Sequence, residues 1–204
     1  MGVRMQPIRS LDTIRDMEMT LARLDDTHGR RMFLLFEVGI RLGLRVGDMV
    51  QLKVGDLRGQ KFYTYMPQKQ AHKKSAQNIT ISIDAQLRKI LKARCADMGD
   101  KDWLFPSRTR TPNKEIKPIS RQTALNDIKQ IQQLTRCPIP LGCHSLRKTF
   151  GYQYYQKHHD IAILQEWFYH ESPATTLIYI GVTADNFRKM TDDSPFARAD
   201  DLPL

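Results

Sequence analysis

The chain has 204 residues, 41% hydrophobic and 26% charged, which is ordinary for one globular domain. Its formal net charge of +10 attracts polyanions and makes nucleic acid the favoured partner. No apolar run approaches the roughly 20 residues that span a bilayer, and the first residues lack the apolar core of an export signal. We therefore expect a cytoplasmic, nucleoid-associated protein without membrane contact.

Two helices are predicted at the start of the chain. Ser10 is a suitable N-cap for an amphipathic helix that continues to Leu24. Residues 31–44 are apolar almost all round, which indicates a central buried helix ending at a glycine. Arg45 follows where this helix meets the next one. On spacing alone, the simpler interpretation is structural: Arg45 complements the helix dipole and pairs with Asp48.

Short alternating segments then predict a small antiparallel sheet. Residues 61–66 and 78–83 are rich in aromatic or β-branched side chains, and residues 53–57 are predicted as a third, edge strand. The long connection carries three lysines, Lys69, Lys73 and Lys74. Such a hairpin tip is suited to reaching a phosphate or a leaving oxygen, and it also has the composition of an ordinary solvated turn.

Helical spacing returns in the second half of the chain. Asp84 caps a predicted helix that continues to Met98, and Ser120 opens another that continues to about Leu134. The proline-containing segment between them is predicted as a loop. A last amphipathic piece, residues 184–190, precedes an acidic tail.

Basic residues are concentrated between Ser107 and Lys148. This segment holds nine Lys or Arg against two acids, and the basic positions are 108, 110, 114, 117, 121, 129, 136, 147 and 148. A scattered set would only solvate a surface. Clustering next to His144 and Arg147 favours a surface that faces phosphates.

Four residues near the C-terminal end form the candidate site. His144 and Arg147 lie one helical turn apart, so both can contact one ligand. A Ser-Pro pair after His170 begins a short helix that carries Tyr179 about two turns from its start. We expect these side chains to converge on a phosphate.

The three cysteines, Cys95, Cys137 and Cys143, form no C-x-x-C pair, so reduced thiols and no metal site are expected. Cys143 lies beside His144, but no oriented base for cysteine catalysis is evident. A buried structural thiol is the preferred interpretation.

Three motifs occur in a characteristic order: G-L-R-V-G-D (43–48), H-S-L-R-K-T (144–149) and H-E-S-P-A-T-T-L-I-Y (170–179). They resemble the first arginine box, the H-x-L-R box and the histidine-to-tyrosine segment of the tyrosine recombinases, also called the phage integrase family. The resemblance covers about residues 10–190. It implies the family's catalytic-domain fold: a mostly helical α+β domain with a small three-stranded antiparallel sheet at one edge.

The resemblance implies a catalytic role for each motif residue. Tyr179 would attack a DNA phosphodiester and form a 3′-phosphotyrosyl link. Arg45 and Arg147 would hold the non-bridging oxygens, because guanidinium groups match phosphate and stay charged. His144 and His170 would share hydrogen bonding and proton transfer around the tyrosine and the phosphate.

Further roles follow from the same resemblance. Lys69 would protonate the leaving 5′-oxygen, with Lys73 as a competitor for this role, and Asp48 would orient the arginine or a histidine. Candidate DNA-binding residues are Lys73, Lys74, Arg121 and Lys148. Because arginines replace a metal at the phosphate, no metal or cofactor is expected.

The family also implies partners and a domain layout. The expected partner is double-stranded DNA, bound by a homo-oligomer that is a tetramer on DNA, with accessory DNA-bending proteins as further partners. Residues 1–204 would form one catalytic domain, with a body at about 10–182. The segment 183–204, a C-terminal helix and acidic tail, would be exchanged between protomers.

Two departures from the family pattern leave alternatives open. Tyr169 stands where the family has glycine, before His170, and most members carry an N-terminal domain for which 204 residues leave no room. The chain is then either a short member or a fragment. A DNA-binding regulator that has lost catalysis, and a type IB topoisomerase-like relaxing enzyme, are the alternatives to a recombinase.

Overall fold

The computed structural model of the chain describes residues 5–67, 78–110 and 113–183. Two compact units divide the chain, Met1–Phe150 and Gly151–Leu204. In chain order the elements are α1 (Leu11–Ala22), α2 (Thr27–Leu42), α3 (Val46–Met49), α4 (Val54–Leu57), β1 (Phe62–Tyr65), β2 (Ile79–Ser82), α5 (Ala85–Arg94), β3 (Pro106–Arg110), β4 (Ile116–Pro118), α6 (Arg121–Leu134), α7 (Ser145–His158), α8 (Ile161–Phe168) and α9 (Pro173–Ile180). The predicted mostly helical α+β class is confirmed.

Helix α2 is the buried centre of the first unit, as predicted. Phe36, Leu35 and Val38 are fully buried on it. The helix begins four residues earlier than predicted, because the Asp26 carboxylate caps it by accepting a hydrogen bond from the Gly29 N–H. Three helices, α1, α5 and α6, pack around α2.

The predicted N-caps of these surrounding helices are confirmed. The Ser10, Asp84 and Ser120 side chains each accept a hydrogen bond from a backbone N–H in the first turn of their helix. Helix α5 ends at Arg94 rather than Met98, and Cys95 is its buried C-cap residue.

The predicted edge strand at residues 53–57 is wrong, because Val54–Leu57 forms the single helical turn α4. The Asp56 carboxylate accepts a hydrogen bond of 2.7 Å from the Lys53 N–H, which closes the turn. The described residues therefore contain two two-stranded sheets, β1–β2 and β3–β4, instead of one three-stranded sheet.

The segment predicted as a proline-containing loop contains the second of these sheets. Strands β3 and β4 pair antiparallel, with Pro106 opposite Pro118 and an irregular register before Arg110. A proline lacks the N–H that a central strand donates, but it is compatible with the end of a two-stranded ribbon. The Trp103 indole N–H donates to the Ile116 carbonyl at 3.0 Å and holds the hairpin.

The second unit contains α8, α9 and the C-terminal half of α7. A Cβ at Gly151 would lie 2.6 Å from the Phe168 ring and 2.8 Å from Ile180, so this glycine permits close helix packing. Ser172 caps α9 and Pro173 is its first residue, as predicted. Tyr169 ends α8 in the left-handed conformation, with φ 57° and ψ 46°.

No helix in the described part of the chain is long and apolar enough to cross a membrane. The predicted helix at 184–190 and the acidic tail lie outside the described residues. A single domain over residues 1–204 stays a prediction.

Candidate active site

Arg45 lies in the turn between the central helix and α3. Gly43 ends α2 with φ 58°, a left-handed conformation that glycine adopts without strain. Arg45 then adopts an extended conformation, and its carbonyl accepts the Asp48 and Met49 N–H groups, both at 2.9 Å. Arg45 therefore lies two residues after the Gly43 C-cap of α2 and is itself the N-cap residue of α3.

A pocket of about 280 Å³ brings together residues from two of the sequence motifs. Arg45, Asp48 and His144 all line it, although His144 is far from the other two in sequence. The Asp48 side chain is buried, at 8% exposure. Val46, Gly47, Arg121 and Cys143 complete the lining. The pocket therefore combines two guanidinium groups, one carboxylate and one imidazole.

Arg121, the first residue of α6, lies directly against Gly47. An ideal Cβ at Gly47 would be 2.6 Å from Arg121 Nη2 and 2.7 Å from its Nε. The guanidinium therefore occupies the space that a side chain at position 47 would take. Sequence reasoning named Arg121 as a DNA-binding residue, but it did not place this residue beside Arg45 or notice Gly47.

Arg147 is buried at 3% exposure in the first turn of α7, and its Nη1 donates to the Gly43 carbonyl. Arg147 thus contacts the turn that carries Arg45, and a joint action of the two arginines on one phosphate stays a prediction. The next residue, Lys148, is also buried, and its ammonium donates to the Met5 carbonyl at 2.8 Å. DNA binding by Lys148 stays a prediction, since this bond directs the ammonium to the protein's own backbone.

The second unit holds His170 and Tyr179 in direct contact. Their rings are 4.9 Å apart at 70°, an edge-to-face arrangement. Phe168 contacts both, with ring centroids 5.5 Å from His170 and 5.1 Å from Tyr179. His170 lies in the break between α8 and α9, as predicted. The nine-residue spacing in the sequence therefore corresponds to a histidine beside a half-buried tyrosine.

Thr176 sets the orientation of His170. The Thr176 hydroxyl donates to the Ser172 carbonyl at 3.3 Å, and its oxygen lies 3.0 Å from His170 Nδ1. This contact orients the imidazole, and the tautomer of His170 decides which of the two groups donates the hydrogen bond. Sequence reasoning missed Thr176, since a threonine inside a short helix carries no distinctive pattern.

Burial raises the pKa of the Cys143 thiol more than the nearby Arg121 charge lowers it. Cys143 therefore stays protonated and a poor nucleophile at neutral pH, as the sequence indicated. Among the described residues, no cluster of His, Cys, Asp and Glu could hold a metal ion.

The candidate residues fall into separate groups. Arg45, Asp48 and His144 meet in the pocket of the first unit, and His170 meets Tyr179 in the second. The three lysines of the β1–β2 connection, Lys69, Lys73 and Lys74, lie outside the described residues. Convergence of all these groups on one phosphate stays a prediction.

Known proteins resemble this chain over most of its length. The model of the phage integrase family matches residues 13–186. The "Probable integrase/recombinase YoeC" of Bacillus subtilis (strain 168) is 35% identical over 185 residues, which cover 90% of this chain and 93% of that protein.

Solved structures share the fold. The crystal structure of XerA recombinase superposes with a TM-score of 0.66 at 20% identity, covering 95% of this chain and 67% of that one. XerH site-specific recombinase, bound to palindromic difH substrate in a post-cleavage complex, has a TM-score of 0.66 at 17% identity. That comparison covers 93% of this chain and 53% of XerH.

Proposed function

The chain belongs to the phage integrase family, and we propose that it is a site-specific DNA recombinase that breaks and rejoins DNA through a covalent bond to Tyr179. The observation that carries this proposal is the pocket shared by Arg45, Asp48 and His144. These residues belong to two motifs that are far apart in sequence, and together they offer positive charge and hydrogen-bond donors suited to a phosphate.

The proposed reaction is an exchange of two esters at phosphorus. The Tyr179 hydroxyl oxygen bonds to phosphorus, and the bond to the 5′-oxygen breaks, which leaves a 3′-phosphotyrosyl link and a free 5′-hydroxyl. The energy of the phosphodiester is kept in the new ester, so religation is the same step reversed and needs no nucleotide. His170 contacts the tyrosine ring and is the proposed acceptor of the phenolic proton.

Guanidinium groups provide the proposed electrostatic catalysis. Arg45 and Arg147 hold the two non-bridging oxygens as negative charge builds up in the pentavalent transition state. The hydrogen bond from Arg147 to the Gly43 carbonyl supports this assignment, because it ties Arg147 to the turn that carries Arg45. His144 donates a further hydrogen bond, and Asp48 orients the donors beside it.

A lysine of the β1–β2 connection is proposed to protonate the departing 5′-oxygen. Lys69 is the first candidate and Lys73 the second. An ammonium group can act as the general acid that this step requires, because it gives up a proton to the departing oxygen. Fixed cations take the place of a metal ion in this scheme, so neither a metal nor a cofactor is part of the proposal.

The proposed substrate is double-stranded DNA. Recombination joins two duplexes, so the proposed working form is a tetramer on DNA, with the segment after residue 183 exchanged between protomers and accessory proteins bending the DNA. The nine-to-two excess of basic over acidic residues between Ser107 and Lys148 supports DNA as the partner.

A trapping experiment tests the proposed function. The protein is incubated with a pool of nicked duplexes of randomised sequence. Cleavage close to the nick releases a short fragment that carries the free 5′-hydroxyl, so the strand cannot be religated and the covalent adduct accumulates. The adducts are mapped by mass spectrometry. We expect an adduct at Tyr179 on a 3′-phosphate and none with Tyr179→Phe. The matched control is Tyr155→Phe, at a tyrosine of α7 whose ring lies edge-on to His159, and it should give the wild-type yield.

Other outcomes point to the alternatives. An adduct at another tyrosine refutes the assignment. DNA binding with no adduct favours a regulator, and relaxation of a supercoiled plasmid without strand exchange favours a topoisomerase-like enzyme.

A further inference from the structure

Arg121 occupies an unusual place for a positive side chain. It is the first residue of α6, a helix of 14 residues whose first turn contains no acidic residue. The amino-terminal end of a helix carries partial positive charge, so a cation there opposes the helix dipole. The position of Arg121 is therefore unfavourable for α6 itself, which indicates that it serves another purpose.

The pocket beside α6 explains the position of Arg121. Arg121 lines it together with Arg45 and His144. Its charge also reaches Cys143 on the pocket wall, where it acts to lower the pKa of the thiol. Two guanidinium groups and the positive end of α6 face one buried carboxylate, Asp48, so the pocket favours an anion.

Gly47 holds Arg121 in this position by having no side chain. Its backbone lies within helix α3 and outside the positive-φ region, so any residue fits there conformationally. A Cβ would lie 2.8 Å from Arg121 Cζ, and the displaced atoms would be the far end of a flexible side chain. The absence of a side chain at position 47 therefore leaves space for the Arg121 guanidinium. The backbone conformation at this position does not itself require glycine.

We propose that Arg121, seated on Gly47, binds a backbone phosphate of DNA in the same pocket as Arg45. This proposal rests on the proposed function, because it takes the occupant of the pocket to be DNA. It assigns Arg121 to the sugar-phosphate backbone, whereas an arginine that reads a base edge would depend on sequence. Gly47 is a positioning residue that acts through Arg121.

DNA binding by the Tyr179→Phe chain tests this assignment without interference from cleavage. Affinity for two short duplexes of unrelated sequence is measured at several salt concentrations. We expect Arg121→Ala to lower affinity about tenfold at low salt. The loss should be equal for both duplexes, and the slope of log K against log salt should shrink by about 1.

Arg15→Ala is the matched control. Arg15 lies on the exposed surface of α1 beside Asp12, and its removal changes net charge by the same amount. We expect Arg15→Ala to leave the affinity within about twofold of the parent and the salt slope unchanged, because Arg15 lies outside the pocket. A loss equal to that of Arg121→Ala would overturn a specific role for Arg121.

Gly47→Ala tests the seat of the guanidinium. This variant should keep its melting temperature, since alanine is the better helix former, while affinity falls by about two- to tenfold. The double variant Gly47→Ala/Arg121→Ala should match Arg121→Ala alone, because the glycine acts only through the arginine. Independent, additive losses would refute this linkage.

The outcomes separate this inference from the proposed function. If the wild-type chain forms the Tyr179 adduct but Arg121→Ala behaves like Arg15→Ala, only the role of Arg121 fails. If Arg121→Ala weakens one duplex and spares the other, Arg121 reads bases and the phosphate assignment is wrong. If Arg121→Ala shows the expected uniform loss but no adduct forms, the phosphate contact holds and the recombinase proposal fails.

Discussion

The left-handed backbone conformation of Tyr169, the residue before His170, can be tested quantitatively by substitution. Tyr169 ends α8 in the left-handed conformation, with φ 57° and ψ 46°, and its N–H donates to the Glu166 carbonyl at 3.0 Å. Glycine adopts that conformation without strain. A side chain with a Cβ costs about 1–2 kcal/mol there. The tyrosine therefore keeps the turn that glycine would form, at an energetic cost.

Comparing Tyr169→Gly with Tyr169→Ala isolates that cost, because both variants lose the ring. The strain of about 1–2 kcal/mol is relieved only in the glycine variant, and the greater freedom of unfolded glycine offsets about 0.5–1 kcal/mol of the gain. We expect glycine to be more stable than alanine by about 0.5–1 kcal/mol, or about 1–4 °C in melting temperature. Urea unfolding at fixed pH measures the difference, and an alanine variant as stable as the glycine variant would refute the reasoning.

Three further variants test packing, titration and orientation. Gly39→Ala should lower the free energy of unfolding by about 1–2 kcal/mol, because a Cβ at position 39 would lie 2.6 Å from Leu146. This overpacking exceeds the gain in helix propensity. Urea unfolding measures the change, and unchanged stability would contradict the reasoning. Burial raises the pKa of the Glu37 carboxyl from 4.5 to about 7. The contribution of protonated Glu37 to folding stability is therefore complete below pH 4.5 and is lost as the pH rises through 7. The stability of wild type relative to Glu37→Gln should therefore fall over that range, and a rise would contradict the assignment. Thr176→Val removes the hydroxyl that lies 3.0 Å from His170 Nδ1. This variant should form the Tyr179 adduct about tenfold more slowly while it stays folded. An unchanged rate would show that His170 needs no hydroxyl partner.

Helix starts were predictable because each is determined by a few adjacent residues. Ser10, Asp84, Ser120 and Ser172 each cap the helix that follows through a bond to an N–H a few residues on. The reach of such a bond is set by the local backbone, so the sequence contains the whole interaction. The same holds for the turn after Gly43, where one left-handed residue ends the central helix.

The two errors in the sheets have a different origin. The prediction of an edge strand at residues 53–57 fails because the Asp56 carboxylate accepts a hydrogen bond from the Lys53 N–H and closes a helical turn. Gly55 also donates its N–H to the Asp100 carbonyl at 2.9 Å, a partner supplied by a distant segment. In the β3–β4 hairpin the prolines indicated a loop, yet they lie opposite each other at the ribbon's end. Strand formation here depends on partners that local pattern does not reveal.

The arrangement of the first unit's pocket depends on residues 43–48 more than on any single helix. Arg45 lies within this turn, Arg147 bonds the Gly43 carbonyl, and Arg121 lies on Gly47. Arg147 and Arg121 therefore each contact the main chain of residues 43–48, which helps to preorganise positive charge at this turn. Spacing alone favoured a structural role for Arg45, and only the family resemblance of this motif implied a phosphate site. Arg121 stayed unassigned to that pocket because its contact with Gly47 becomes visible only when α6 is folded against α3.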